Sequence, residues 1–138
     1  MRKTVPILGA AVLALLGSSC APNPEAVRRA ELKTQRELAE ALAGRTAGEP
    51  LRCIPNYRTS QLQIVDDQTL LYRDGKTIYL QRPLSPCNGI ANGSRTLVTK
   101  VYGVNQFCHG DINETIDLHT GIRGGACVFG DFVPYTKP

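Results

Sequence analysis

The sequence predicts a mainly β fold, a small disulfide-stapled barrel or sandwich of about six strands preceded by an N-terminal helix. Three observations carry this. From Leu51 onward, short alternating runs are punctuated by Gly, Pro, Asn and Asp, the pattern of paired strands and tight turns. Before Leu51 the composition is that of a helix, rich in Ala, Leu, Glu and Arg. Four cysteines, Cys53, Cys87, Cys108 and Cys127, lie inside the β-rich part, an even count suited to two disulfides.

The chain opens with an address. Arg2 and Lys3 precede twelve uncharged positions, 5–16, and the small residues Gly17, Ser18 and Ser19 lead to Cys20. This is the build of a bacterial export signal over 1–19. The apolar run is shorter than the roughly 20 residues that span a bilayer, and Pro6 and Gly9 interrupt it. Leu16-Gly17-Ser18-Ser19-Cys20 resembles a lipobox, with Gly17 standing where an aliphatic residue is usual. The expected consequence is acylation of Cys20 and attachment to the membrane through a lipid anchor. The alternative is simple cleavage after Ala21. Ala21 in place of an acidic retention residue points to an outer membrane lipoprotein facing the periplasm, the alternative being a soluble periplasmic or secreted form.

Residues 20–50 read as a tether and a charged helix. Asn23-Pro24 supplies an N-cap followed by proline at the first helical position, and helix composition continues over 24–43. Val27, Leu32, Leu38 and Leu42 form no single 3.6-residue stripe, so the segment is expected to be a solvated spacer that Gly44, Gly48 and Pro50 end in a linker.

The domain proper is expected over 51–138, with strands at 61–65, 69–73, 76–82, 96–102, 112–118 and 127–133. Asp74-Gly75 marks the clearest hairpin. Leu70 and Tyr72 share one face of it, as do Ile78 and Leu80. Pro83, Pro86, Asn88, Gly89, Asn92 and Gly93 make a long loop around Cys87. Three connectivities are open to the four cysteines; consecutive pairing, Cys53 with Cys87 and Cys108 with Cys127, is the expectation, because it staples each half of the domain separately. Disulfides imply an oxidising compartment.

In chain order stand Cys53-Ile54-Pro55, Asp66-Asp67, Gly75, Cys87, then Cys108-His109-Gly110-Asp111-Ile112, and finally Gly124-Gly125-Ala126-Cys127-Val128-Phe129-Gly130-Asp131-Phe132. Together they resemble a family of small uncharacterised proteobacterial envelope proteins over residues 52–135. The resemblance implies an exported domain of unknown function and transfers no catalytic residue.

Composition and motifs narrow the function classes. The formal charge is +4, or +2 once Arg2 and Lys3 leave with the signal, and the arginines Arg52, Arg58, Arg73, Arg82, Arg95 and Arg123 are dispersed. With no Trp and 6% aromatics there is little stacking surface, so nucleic acid is not an expected partner. GxSxG, HExxH, GxGxxG and GK[ST] are all absent. No cofactor, metal site or catalytic residue is assigned.

Two sets of side chains could still carry chemistry. Cys108, His109 and Asp111 place a thiol, an imidazole and a carboxylate within four residues. Asp66-Asp67 could bind a cation or act in acid-base catalysis. Against this, neighbours in a strand diverge, an oxidised cysteine is no nucleophile, and aspartates and His119-Thr120-Gly121 are common turn formers. Gly121, Gly124 and Gly125 are expected to be hairpin glycines. The favoured expectation is therefore a non-enzymatic binding or accessory module with an envelope protein partner. The alternative is a metal-dependent or redox enzyme using Cys108, His109, Asp111 and Asp66.

Overall fold

The computed structural model describes residues 21–56, 61–102 and 105–138. The signal over 1–19, Cys20 and Arg58 lie outside the described residues. One helix, α1 (Pro24–Ala41), precedes ten strands: β1 (Thr46–Ala47), β2 (Cys53–Pro55), β3 (Gln61–Asp66), β4 (Thr69–Asp74), β5 (Thr77–Gln81), β6 (Arg95–Thr99), β7 (Gln106–Cys108), β8 (Ile112–Asp117), β9 (Arg123–Val128) and β10 (Phe132–Thr136). They form three antiparallel sheets in the orders β1-β10-β5-β4-β3, β2-β7 and β6-β8-β9. The chain is mainly β with a sandwich-like arrangement of layers.

The strand period of two sorts β4 and β5 between layers. Leu70 and Tyr72 enter one cluster with Ile54, Cys87, Ile90, Cys127, Phe129 and Phe132, the contact between the large sheet and the smaller ones. Tyr72, Phe107, Phe129 and Phe132 meet there as tilted and edge-to-face rings with centroids 5.5–6.1 Å apart. Leu71, Ile78 and Leu80 point the other way and join Val65 in a second cluster. The pairing of Leu70 with Tyr72 and of Ile78 with Leu80 follows the sequence pattern.

α1 closes that second face. Asn23 caps it, its side-chain oxygen accepting from the Glu25 N–H at 3.0 Å. Leu38, Ala41 and Leu42 pack on the Val65, Leu71, Ile78 and Leu80 cluster, and the Thr34 hydroxyl donates to Asp66 Oδ2 at 2.9 Å. The expectation of a solvated spacer is corrected here. The second half of the helix meets the sheet through Thr34, Leu38, Ala41 and Leu42, while on the same side Val27 and Ala30 overhang an open hollow with Asp66 and Arg82; threonine and alanine among these positions break the run of large apolar residues. The linker is likewise part of the sheet: Thr46 pairs with Thr136, Gly48 N–H donates to Pro134 O, and Leu51 bridges to Phe132.

The β4–β5 hairpin turns one residue later than expected. Asp74 pairs with Thr77, so Gly75-Lys76 are the loop, and Gly75 alone has positive φ, +54°. Glycine first with a negative-φ residue second is the II′ arrangement. The strand expected over 127–133 is also corrected: it is the end of β9 and the start of β10, divided at Gly130-Asp131. A side chain at Gly130 would stand 2.6 Å from Arg82 O, and the buried Gln81 amide donates to Gly130 O at 2.9 Å.

Both disulfides form, but not with the consecutive pairing. Cys53 bonds Cys108 and Cys87 bonds Cys127, with Cα atoms 4.0 and 5.1 Å apart. The reason is topological. β2 pairs with β7 and sets Cys53 directly across from Cys108, where the adjacent His109 N–H to Arg52 O bond marks the close, non-hydrogen-bonded kind of site. Cys87 is tied to the β3–β4 turn by its own N–H donating to Asp67 O at 2.7 Å, and its disulfide joins that turn and loop to Cys127 on β9. Each bridge therefore links the two halves of the domain.

Candidate functional site

The segment that concentrates reactive residue types is the tight turn after β7. Gly110, with φ +91°, reverses the chain. Asp111 Oδ2 accepts from the Cys108 N–H at 2.7 Å and the Asp111 N–H donates to Cys108 O at 3.0 Å, so that carboxylate closes the turn. Cys108 is bound to Cys53. His109 turns away to meet a residue that no motif joins to it: its Nδ1 lies 2.9 Å from Asp131 Oδ1. Asp131 sits just before β10, inside a segment expected to be strand, which concealed the pair. Both side chains are open to solvent, 29% and 47% exposed. Cys108, His109 and Asp111 are adjacent in space, and three different contacts engage them.

Asp66 and Asp67 build a second knot of structure. Asp66 Oδ1 accepts from the Gln68 N–H at 2.8 Å while Oδ2 takes the Thr34 hydroxyl. Asp67 accepts from the Gly89 and Ala91 N–H groups at 3.1 and 2.9 Å, folding the long loop around Cys87 onto the β3–β4 turn. A carboxylate that satisfies two otherwise orphaned loop amides stabilises that loop directly.

The remaining candidates resolve similarly. Asp117 Oδ1 accepts from the His119 and Thr120 N–H groups and the Thr120 hydroxyl at 2.9–3.0 Å, leaving His119 exposed at the β8–β9 hairpin tip. The Thr120 N–H above all, then the His119 N–H, holds the Asp117 carboxyl below its usual range. Gly121, with φ +68°, is the hairpin glycine. Gly124 serves another purpose, since a side chain there would overlap the Arg95 guanidinium, and one at Gly89 would stand 2.9 Å from Arg95 Cδ. Arg95 lies across the inner face of β8 and β9 between these two glycines. Among the described residues no three His, Cys, Asp or Glu side chains are grouped to hold a metal ion.

On the outer face of the three-stranded sheet, Glu114 stands between Lys100 Nζ at 2.9 Å and Arg123 Nη1 at 2.5 Å. The Lys100 hydrogen bond, followed by the field of Arg123, holds its carboxyl below the usual range. An open hollow of about 420 Å³ and mixed polarity lies between the β3 and β6 edges, lined by Asn56, Leu62, Tyr72, Leu97, Thr99, Val101 and Phe107. Burial pushes the Tyr72 phenol at its floor above its usual range, so it stays protonated.

No family model matches the chain, and neither a curated protein nor a solved structure does. Two disulfides fit an oxidising compartment, and among the described residues no helix is long and apolar enough to cross a membrane.

Proposed function

We propose that the chain is exported, acylated at Cys20 and held at the cell envelope, on the periplasmic face of the outer membrane, where its β domain acts as a binding or accessory module for an envelope protein rather than as an enzyme. One observation carries the preference: Cys108, Asp111 and Asp66, the groups an enzyme would use, are engaged in a disulfide, a turn and a helix contact. The second reading, a metal-dependent or redox enzyme built on Cys108, His109, Asp111 and Asp66, draws on the exposed His109–Asp131 pair alone.

Metabolic labelling with an alkyne fatty acid tests the anchor. Label on the parent and none on Cys20→Ala supports it; an unlabelled parent overturns it. Thiol titration of the native protein separates the module from the enzyme. A free Cys108 thiol, or a stoichiometric metal lost in His109→Ala without unfolding, transfers the assignment to the second reading.

A further inference from the structure

α1 begins four residues after Cys20. At no more than about 3.6 Å per residue, that stretch keeps the first helical turn within roughly 15 Å of the acylated position. What the helix presents there is sorted by face. The stripe through Val27, Ala30, Thr34, Leu38 and Ala41 turns toward the sheet side, and at about 100° per residue Arg29, Leu32 and Arg36 project from the opposite side with Glu25, flanked by Arg28 and Lys33. Glu25, Arg28, Arg29 and Leu32 line one shared surface hollow.

Three of the four helix carboxylates line other hollows. Glu31 lines the hollow with Asp66 and Arg82 on the sheet side, and Glu37 and Glu40 lie by Gln63 and Arg73 at the far end. Glu25 shares the outward side with the cations, one turn from Arg28 and Arg29. Lys33 reaches Glu37 at 3.7 Å; Arg28, Arg29 and Arg36 form no ion pair among the described residues. Leu32 is 50% exposed in their midst. Three guanidinium groups that form no ion pair surround an exposed leucine, and a surface of lipid phosphates complements both.

We propose that the outward face of α1 docks on an anionic phospholipid bilayer, with Arg28, Arg29, Lys33 and Arg36 on headgroup phosphates and Leu32 inserted among them. The inference rests on the lipid-anchored reading, since acylation at Cys20 brings α1 to the bilayer. It reverses the spacer expectation: the helix lies along the membrane, and the sheet is carried on its other side.

The chain has no tryptophan, so Leu32→Trp gives a single indole reporter on an exposed site. The full acylated protein is reconstituted into phosphatidylglycerol/phosphatidylethanolamine vesicles and into phosphatidylcholine vesicles. The expected result is a blue-shifted emission quenched by brominated lipid in the anionic vesicles only. A water-like emission in anionic vesicles, or equal shifts in both, overturns the proposal. A second measurement separates it from the anchor. Non-acylated Cys20→Ala protein should sediment with anionic vesicles, and adding Arg28→Gln, Arg29→Gln and Arg36→Gln should weaken that partitioning on the order of a hundredfold, about fivefold per charge. Partitioning indifferent to those three charges refutes the docked face even if Cys20 is acylated. Retention by the charges with no acyl group found on Cys20 upholds the face and removes the anchor.

Discussion

Replacing Cys87 and Cys127 together by alanine removes the bridge that pins the long loop to β9. The bridge closes a loop of 40 residues, and the chain-entropy relation gives about 13 cal/mol/K for that length, or about 4 kcal/mol near room temperature. Both cysteines are fully buried in the cluster with Ile54, Tyr72 and Phe129. The missing sulfurs leave a void there that adds about 1 kcal/mol. The sum is a large part of the roughly 5 to 15 kcal/mol that a domain usually has. Cys53 and Cys108 close 55 residues, so alanines there lose a similar entropy, about 4 kcal/mol, but both are only half-buried and little void follows. Urea unfolding of the two double variants, with the midpoint and slope fitted separately, should place the Cys87/Cys127 variant below the Cys53/Cys108 one. Non-reducing peptide mapping of the parent should recover Cys53 linked to Cys108 and Cys87 linked to Cys127. A map with Cys53 on Cys87, or a loss under about 1 kcal/mol for Cys87→Ala/Cys127→Ala, refutes the reasoning.

Leu38→Ala should cost about 1 to 2 kcal/mol in urea unfolding, roughly half of what a fully buried leucine loses, because Leu38 covers the Leu71, Ile78 and Leu80 face while itself half-buried; an unchanged midpoint would return α1 to the role of a solvated spacer. Asp67→Ala leaves the Gly89 and Ala91 N–H groups without their acceptor, at about 2 to 3 kcal/mol, and hydrogen exchange at those two amides should accelerate; slow exchange in the variant would show that the loop is held some other way. Asp117 has a folded pKa below its usual 3.8, so its contribution is present above that value and lost as pH falls through the folded pKa, the unfolded chain taking up its proton first. An NMR titration that puts the Asp117 midpoint at or above 3.8 contradicts the hairpin cap.

Local chemistry is what the sequence determined alone. Asn23-Pro24 dictates where α1 starts, Gly75 and Gly121 where hairpins reverse, and alternation in Leu70, Leu71 and Tyr72 which side chains part company across a sheet. Each depends on residues a few positions apart, whose φ/ψ limits and side-chain directions are intrinsic. What faces each surface was decided only by the tertiary structure. Thr34 and Ala41 read as neutral until a sheet lies beneath them, and Asp131 reads as strand until Gly130 is pressed against Arg82 O. The cysteines show the division most sharply. Their number and oxidised state were legible because an even count inside a β-rich segment without close CxxC pairs has few other uses. Their pairing was not, because which strand β2 finds depends on the whole core: β7 brings Phe107 against Tyr72 and sets Cys108 opposite Cys53, a contact across 55 residues that no local pattern encodes.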